Sequence, residues 1–494
     1  MNQPNDLSQK RASIEAILPK HRDLYYDGKW QKPAGGYRET LNPATGASLG
    51  PCAEANAQDV DAAVKAAHKA FKDWRRVKPL ERAGMMKKVA AAIRAHAEEL
   101  AMLDAANCGN PVREMARDVN TAVAQWEFFA GLVTELKGET IPMGEGVVNL
   151  SVREPFGVCA RIVAYNHPIM FTAAKAAPAV AAGNTVIMKP PYQAPLSAYR
   201  LMELIEGILP AGVLNILTCD KEGSQALVAH PLVPRVSLIG SVPTGRAIAR
   251  AAADRLKHVS LELGGKNACI IYPDADLEKA TKGAVGGMNF SWCGQSCGST
   301  SRLFVHESIH DRVVEKVLQH VKHHKPGIPT EMDTTMGAIV SRAQMEKILS
   351  YIEIGKKEGA TLACGGKRPD DPRLAGGFFV EPTVFTGVNQ KMRIANEEIF
   401  GPVLSVLKWK DEEEMFEQVN SVEYGLTGSV WTTNLATAHR AAGRIESGFI
   451  WVNGAGPHFL GVSFGGYKQS GIGREESYEE LLSFTQSKNI NITL

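Results

Sequence analysis

Hydrophobic residues in the amino-terminal part of the chain recur at helical spacing. Between Val60 and Trp74 the apolar positions are three or four residues apart, which forms one stripe along a helix. An alanine-rich segment from about Leu80 to Ala106 predicts a second helix. From Val147 to Val152 apolar and polar residues alternate, and this pattern predicts a strand with one exposed face.

Beyond this strand the pattern changes to short, continuous apolar runs. They are bounded by Gly, Pro or Asn, separated by helical segments, and read GVCARIVAY, NTVIMKP, GVLNILT, RVSLIG and HVSLELGG. The rhythm continues after residue 265 with NACIIYP, SRLFVHE, PVLSVLKWK, TGSVWTT and SGFIWVNG. Strands that are apolar throughout are typical of parallel sheets covered on both faces by helices. The chain therefore predicts two α/β domains in series.

The last residues of the chain also carry a strand pattern. Ile490, Ile492 and Leu494 alternate with polar residues. Chain ends fray unless something holds them. The pattern therefore predicts a strand with a pairing partner, for which a second subunit is one candidate.

Composition and charge exclude several classes of partner. The chain has 494 residues, of which 44% are hydrophobic and 22% charged, as in globular proteins of two or three domains. Its 55 basic and 53 acidic residues leave a net charge of +2 without long blocks of one sign, so neither nucleic acid nor an anionic membrane is expected. The start lacks the apolar core of a signal peptide, and no run of about 18 apolar residues exists. We expect a soluble protein of the cytoplasm.

The eight cysteines are scattered rather than arranged as a disulfide framework. Cys293 and Cys297 are spaced C-x3-C, but no second Cys or His pair follows at zinc-site spacing, so no metal is expected. A buried cysteine that acts as a small hydrophobe is the ordinary interpretation, and we apply it to Cys52, Cys159, Cys219, Cys269 and Cys364. From the residues alone, Cys297 does not differ from the others.

One glycine turn is a candidate phosphate site. The chain has no G-x-G-x-x-G, but GSVPTG, from Gly240 to Gly245, joins an apolar run to a helical segment. Arg246 and Ala247 follow where a P-loop requires Lys and Ser or Thr. The turn either presents backbone N–H groups to a phosphate or is a plain turn.

Seven stretches together resemble the aldehyde dehydrogenase superfamily in order and spacing. They are FGVCARIVAYNHPIMFTAAKAAPAVAAGNTVIMKP, GSVPTG, LELGGKN, GQSC, EEIFGPV, WVNG and FGGYKQSGIGRE, and the resemblance runs from about residue 25 to the end. It implies two doubly wound α/β domains and a small oligomerisation arm. The implied ranges are 1–133 and 152–261 for a dinucleotide-binding domain, 262–455 for a catalytic domain, and 134–151 and 475–494 for the arm. A homodimer or homotetramer is implied as well.

The resemblance also implies a catalytic set. Cys297 of GQSC matches the nucleophile, and Asn166 matches the asparagine that stabilises the oxyanion. Glu262 matches the general base that activates water; the branch of the family that passes its acyl group to coenzyme A lacks this glutamate. Lys175 matches a buried lysine near the proton path. Without the resemblance, we would interpret Asn166 as a turn residue, Glu262 as an exposed carboxylate on a strand and Lys175 as a lysine on a helix surface.

NAD is the cofactor that the resemblance implies. The matching positions are Lys189, Gly240, Ser241, Glu398 and Phe400, with weaker matches at Val163, Tyr165, Leu263 and Gln344. Relatives that prefer NAD usually carry a glutamate where this chain has Tyr192. That carboxylate would bind the ribose hydroxyls and repel a 2′-phosphate. NADP is therefore also a possible cofactor.

The implied reaction is oxidation of a small aldehyde to its acid through a thioester. Positions that match the substrate tunnel are His167, Phe171, Ala174, Trp292, Ser296, Asn453, His458 and Phe464. The aromatic cage that binds a quaternary ammonium is incomplete at 167, 174 and 458, and the small Ala174 predicts room for a longer or ring-bearing aldehyde. Two alternatives remain: a cysteine-dependent esterase or acyl hydrolase, and a catalytically silent binding protein of the same fold.

Overall fold

The structure, a computed structural model, describes residues 14–494. Its first large sheet contains β1 (Leu24–Tyr26), β2 (Lys29–Gln31), β7 (Val158–Ile162), β8 (Thr185–Lys189), β9 (Leu214–Ile216), β10 (Arg235–Ile239), β11 (His258–Glu262) and β21 (Gly471–Ile472). Within the described residues the strand order is β2-β1-β9-β8-β7-β10-β11-β21. The strands from β9 to β11 are parallel, as their continuous apolar runs predict.

The second large sheet lies entirely in the carboxyl-terminal half. It contains β12 (Ala268–Ile271), β13 (Arg302–His306), β14 (Thr361–Cys364), β15 (Thr383–Val388), β16 (Val403–Trp409), β18 (Thr427–Trp431) and β19 (Phe449–Val452). Their order in this part of the chain is β14-β15-β16-β13-β12-β18-β19, and only β14 is antiparallel to its neighbour. Two further antiparallel pairs lie outside the large sheets: the hairpin of β3 (Tyr37–Leu41) with β4 (Ser48–Ala53), and β17 (Tyr424–Gly425) with the more distant β20 (Tyr467–Lys468).

Helices cover both faces of both sheets. The first sheet is flanked by Ala57–Trp74, Pro79–Ala95, Ala97–Cys108, Val112–Gly131, Ala177–Ala181, Leu196–Ile205, Lys221–Ala229 and Val242–Ala253. The second has Leu277–Gly287, His310–Val321, Arg342–Lys357, Arg393–Asn396, Glu412–Asn420 and Leu435–Arg444. Each sheet separates two clusters of buried apolar side chains. The predicted fold class, with two doubly wound α/β domains, is confirmed.

The segment predicted as one helix from Leu80 to Ala106 is two helices. The first ends at Ala95 and the second begins at Ala97, and His96 between them has φ −119° and ψ 25°. Its Nδ1 lies 3.0 Å from Glu99 Oε2, in the first turn of the second helix. Both helices are rich in alanine, so the composition does not mark the break at His96, and the sequence pattern therefore predicted a single helix.

The carboxyl-terminal strand finds its partner within the same chain. β22 (Thr485–Thr493) pairs antiparallel with β6 (Val147–Pro155), which also pairs with β5 (Thr140–Pro142). Its outward side chains stay open to solvent: Ile490 is 36% and Ile492 41% exposed. A strand was correctly predicted, but a second subunit is not needed to pair it. The helix Tyr478–Ser483 precedes this strand.

The domain ranges stay predictions. The strand β6 continues to Pro155, beyond the predicted end of the first arm segment at residue 151. β21, at residues 471–472, joins the first sheet from a segment for which no domain was predicted. The short link from Glu262 to Ala268 joins the two large sheets, and the candidate site lies beside it.

Candidate active site

The strand order of the first sheet reverses between β7 and β10. From β7 the chain proceeds outward through β8 and β9, and then crosses to β10 on the other side of β7. Ligands of open α/β sheets bind in the crevice outside the carboxyl ends of the strands at such a switch point. Val163, Tyr165 and Asn166 follow β7, and Gly240 follows β10. The topology therefore brings predicted residues from separate motifs to one edge.

The glycine turn after β10 ends at the start of a helix. Ser241 is the N-cap of Val242–Ala253, but its side chain makes no capping bond to the helix; its Oγ lies 3.0 Å from Thr244 Oγ1. Leu263 packs against this helix so closely that a Cβ on Gly245 would lie 2.7 Å from its Cδ1. The free N–H groups at the helix start suit an anionic group such as a pyrophosphate.

Lys189 ends β8 at the same edge. It is half-buried, and burial lowers the pKa of its ammonium. Among the described residues it has neither a hydrogen-bond nor an ion-pair partner for its side chain, whereas its carbonyl accepts a bond from Val163 N–H at 3.1 Å. Tyr192, three positions on, is 47% exposed. Lys189 thus offers a cation without a partner in the described residues at the same sheet edge as the uncapped helix start, two strands away, and the two features together fit the ribose and pyrophosphate of a dinucleotide.

Glu398 and Phe400 approach this edge from the second domain. Glu398 Oε1 accepts a bond from Gly265 N–H at 3.0 Å, and burial raises the pKa of its carboxyl. Phe400 has φ 56°, a left-handed conformation, and its ring contacts Tyr165 edge to face at 5.8 Å. Gln344 Nε2 donates to the Phe400 carbonyl at 2.9 Å. Gln344, predicted as a cofactor contact, thus positions the strained loop itself.

The loop that carries Cys297 is held by backbone contacts. Cys293 and Gly294 both have positive φ, 55° and 62°. A Cβ on Gly294 would lie 2.2 Å from the Gly401 carbonyl oxygen, so the loop packs directly on the backbone that follows Phe400. Asn267 Nδ2 donates to the Cys297 carbonyl at 2.7 Å. These contacts set the position of Cys297 relative to both domains.

Cys297 is half-buried and its thiol is protonated at neutral pH. Burial raises its pKa to about 12, and the charges of Glu398 and Glu262 act in the same direction. Cys293 is fully buried, and its Sγ lies 3.5 Å from the Ala338 carbonyl oxygen. All eight cysteines are free. Cys364 is half-buried rather than fully buried as predicted, but it packs against a cluster of buried apolar side chains; its Sγ lies 3.8 Å from the Pro382 carbonyl oxygen.

Asn166 and Lys175 flank one turn of π-helix, Met170–Ala174. Such turns occur often at functional sites. Trp126 Nε1 donates to the Ala173 carbonyl at 2.9 Å, which fixes the turn to the helix Val112–Gly131. Asn166 is 3% exposed, and its carbonyl accepts a bond from Asn110 Nδ2 at 2.8 Å. The turn directs Lys175 into the interior, where it is 1% exposed.

Lys175 belongs to a buried ionic cluster. Its Nζ lies 3.0 Å from Glu475 Oε2 and 3.9 Å from Glu476 Oε1. The other oxygen of Glu475 pairs with Arg161 at 3.2 Å, and Arg161 also pairs with Glu480 at 3.2 Å. Burial disfavours the Lys175 ammonium, but these carboxylates outweigh it and raise its pKa. The cluster joins β7, the π-helical turn and the segment before β22.

Glu262, at the end of β11, lies beside this cluster without a bond to it. It is 6% exposed, and neither carboxylate oxygen has a hydrogen-bond partner within residues 14–494. Burial, followed by the negative charge of Glu475, raises its pKa well above the ordinary value. A buried carboxyl with a raised pKa is a suitable proton acceptor near neutral pH.

Several predicted substrate residues contact one another. His167 Nδ1 lies 2.8 Å from Asp118 Oδ2, and its ring contacts Phe171 at 5.1 Å and Trp292 at 5.7 Å. In a second group, His458 stacks on Phe464 at 4.2 Å, and its Nδ1 lies 3.2 Å from Glu476 Oε2.

In the described part of the chain, the other residues predicted to line the substrate tunnel do not contact either of these two groups in a way that indicates a substrate site. Asn453 bonds the Thr432 backbone through both amide atoms, at 3.0 and 2.9 Å. Ala174 is fully buried in the hydrophobic core and so has no exposed surface of its own. Ser296 is half-buried beside Glu398 and Phe400, where these residues line one small cavity. Their contacts with substrate stay predictions.

Sequence reasoning missed the partners of the catalytic set. Arg161 and Glu475 in the buried cluster, Asp118 behind His167, and Arg38 near Tyr192 were not predicted. One signal was available, since Arg161 interrupts an otherwise apolar strand, GVCARIVAY, and a buried arginine requires a carboxylate partner. Nothing in the sequence indicated which carboxylate that would be.

Two other kinds of feature are absent from the described residues. Between residues 14 and 494 no helix combines the length and the apolar composition needed to span a bilayer. The same part of the chain has no group of three or more His, Cys, Asp or Glu side chains arranged to hold a metal ion.

Comparison with known proteins agrees with this arrangement. The model of the aldehyde dehydrogenase family matches residues 30–490. The chain is 52% identical over 489 residues to aldehyde dehydrogenase tropH of Talaromyces stipitatus, covering 97% of this chain and 95% of that protein. It is 41% identical over 471 residues to a betaine aldehyde dehydrogenase of Mesorhizobium japonicum, covering 95% and 96%. A solved NAD+ complex of a Bacillus cereus aldehyde dehydrogenase superposes with TM-score 0.94 at 40% identity over 98% of each chain.

The chain therefore belongs to the aldehyde dehydrogenase family. The resemblance predicted from its motifs, and the prediction that it is an aldehyde dehydrogenase, are confirmed.

Proposed function

We propose that this protein oxidises an aldehyde to the carboxylic acid, with Cys297 as the nucleophile and NAD as the hydride acceptor. One observation carries the proposal: the edge at the switch point contacts the second domain through Tyr165 and Phe400, and the residue after Phe400, Gly401, packs on the loop of Cys297 at Gly294. A dinucleotide bound along that edge would extend towards the thiol. Homologous enzymes with NAD+ bound support the choice of cofactor.

Cys297 attacks the aldehyde carbon as a thiolate. Because burial holds the thiol protonated at neutral pH, it must lose its proton to a nearby acceptor. We assign Glu262 to the later hydrolysis, so solvent water is the expected acceptor of the thiol proton in this first step. The Asn166 amide and the Cys297 backbone N–H would stabilise the charge on the former carbonyl oxygen. NAD supplies the hydride acceptor, and the product of the oxidation is a thioester on Cys297.

Hydrolysis of the thioester requires a base, and Glu262 fits this role. Its unpaired carboxylate can take a proton from water. Lys175 and its carboxylate partners lie beside it and offer polar groups through which that proton can leave. The presence of Glu262 supports hydrolysis rather than transfer to coenzyme A.

A panel of aldehydes with NAD or NADP tests this function through the absorbance of the reduced nicotinamide. The proposal expects reduction that depends on aldehyde. Ester cleavage without any reduction would favour the cysteine-dependent hydrolase. If a properly folded protein shows neither nicotinamide reduction nor ester cleavage, the result would favour the catalytically silent binding protein.

The substrate residues support a small aldehyde with a ring or a longer chain. His167, Trp292 and Phe464 present flat aromatic surfaces, and His167 and His458 are each oriented by a carboxylate. These polar groups differ from an all-aromatic ammonium cage. A faster rate for aromatic aldehydes than for betaine aldehyde would support this assignment, and the reverse order would contradict it.

The protein is also proposed to form a homodimer or homotetramer in the cytoplasm. The arm exposes Ile490, Ile492 and Ile141, and an exposed apolar strand edge is usually covered by a neighbour. Eight unpaired cysteines suit a reducing compartment. Removal of residues 487–494 should reduce the mass measured by light scattering, whereas a monomeric full-length protein would contradict the assembly.

A further inference from the structure

Arg38 brings a second cation to the edge where Lys189 and Tyr192 lie. It belongs to β3, which pairs with β4 and is distant in sequence from Lys189. Its guanidinium carbon lies 4.9 Å from the centroid of the Tyr192 ring. A guanidinium over an aromatic face is attracted to it. Tyr192, which stands where a carboxylate was expected, therefore serves as a platform for a positive charge.

The hairpin is fixed to the Tyr192 loop by buried hydrogen bonds. Thr40 Oγ1, two residues after Arg38, donates to the Gln193 carbonyl at 3.2 Å. Asn107 Nδ2 in turn donates to Thr40 Oγ1 at 2.9 Å, and Asn107 is 1% exposed. Because backbone and buried side chains join the two segments, the approach of Arg38 to Tyr192 is a property of the fold.

The two cations near Tyr192, Arg38 and Lys189, are only partly neutralised by neighbouring carboxylates. Lys189 has no ion-pair partner in the described part of the chain, and the charge of Arg38 adds to burial in lowering its pKa. Arg38 is paired at one nitrogen with Glu54, at 2.7 Å, and its side chain is 42% exposed. Asp220, the other nearby carboxylate, already accepts a bond from Gly223 N–H at 2.9 Å. One guanidinium edge and one ammonium thus remain available to an anion.

We propose that Arg38 is a specificity-determining residue which, together with Lys189, binds the 2′-phosphate of NADP. This inference rests on the proposed function, since it assigns a role within that cofactor edge. A guanidinium presents paired donors that match phosphate oxygens, and Lys189 adds a point charge. Tyr192 holds the guanidinium plane and brings no negative charge. Glu54 competes with the phosphate for Arg38 and limits its contribution.

The test measures binding of 2′,5′-ADP and 5′-AMP by calorimetry, which needs no aldehyde and no turnover. We expect Arg38→Gln to weaken 2′,5′-ADP about tenfold, equivalent to roughly 1.4 kcal/mol, and to change 5′-AMP by less than about twofold. Glu54→Gln should strengthen 2′,5′-ADP severalfold, because it frees Arg38. Arg312→Gln, at an exposed helix position, is the matched control and should change neither probe.

Equal weakening of both probes by Arg38→Gln would overturn the inference, because Arg38 would then only support the adenosine site. An unchanged ratio of the two affinities would overturn it as well. Failure of the proposed function looks different: the parent protein would reduce no NAD with any aldehyde. A parent that oxidises aldehydes with NAD, while its Arg38→Gln variant binds 2′,5′-ADP normally, refutes only the role of Arg38.

Discussion

Two lysines near the proposed site, Lys175 and Lys189, differ in whether the protein itself supplies carboxylate partners for their charge. Lys175 is 1% exposed and lies 3.0 Å from Glu475, and the neighbouring carboxylates raise its pKa although burial opposes them. Lys189 is half-buried without a partner in the described residues, and burial lowers its pKa. A charge deep inside must be compensated by the protein. A charge left uncompensated at an edge is available to a ligand.

The comparison predicts two kinds of response to mutation. Changes in the interior around Lys175, Glu262 and Cys297 should remove chemistry or stability. Changes at the edge around Lys189 and Tyr192 should redistribute affinity between cofactors and leave the fold intact.

The largest effect is expected at the thiol. Cys297→Ala should reduce both aldehyde oxidation and ester cleavage by several orders of magnitude, because no other group in the proposed site can form the thioester. Cofactor binding should persist, since the edge of Lys189 is untouched. Steady-state rates and cofactor titration measure the two properties. Cys293→Ala is the matched control; if it were inactive and Cys297→Ala active, the nucleophile would be misassigned.

Glu262→Gln should lower steady-state turnover by about 10²–10⁴-fold, the usual contribution of a general base. The variant should still give a rapid burst of reduced cofactor, because oxidation precedes attack by water. Stopped-flow absorbance distinguishes the two phases. Without any burst, Glu262 would be required at an earlier step, such as removal of the proton from Cys297.

Glu475→Gln should destabilise the protein by up to about 3–5 kcal/mol, the cost of breaking a buried ion pair, because Arg161 then keeps only Glu480 and Lys175 only Glu476 at 3.9 Å. Arg161 and Lys175 would both lose their shared carboxylate. Urea unfolding measures the change. Glu127→Gln is the control, since it breaks an exposed pair with Arg94 at the same kind of distance, 2.7 Å, and should cost less than about 1 kcal/mol. Equal losses in the two variants would remove the contrast between interior and surface.

The smallest effect concerns the edge. Tyr192→Glu should shift the ratio of specificity constants towards NAD by at least about tenfold, or roughly 1.4 kcal/mol. The new carboxylate would accept bonds from the ribose hydroxyls and repel a 2′-phosphate. Initial rates with each cofactor at fixed aldehyde measure the ratio. Tyr192→Phe keeps the ring under Arg38 and should leave the ratio nearly unchanged. A parent protein that does not turn over NADP would contradict the prediction.

The sequence determined the fold class and the identities of the groups proposed for catalysis. Short apolar runs between helical segments predicted parallel sheets, because a strand buried on both faces leaves that pattern in the chain itself. Cys297, Asn166 and Glu262 were found because each lies in a local motif. Lys175 was also found through its motif. The patterns alone predicted a surface position for both Lys175 and Glu262, and both are buried.

Only the tertiary structure decided which charges meet. Arg161 and Glu475 are more than 300 positions apart, and they pair because β7 and the segment before β22 pack together. The stack of Arg38 on Tyr192 and the return of β22 to β6 arise in the same way. Periodicity in a sequence reports which face of an element is buried, but not what lies against that face. The partners depend on how distant segments are brought together, and that is a property of the packed chain.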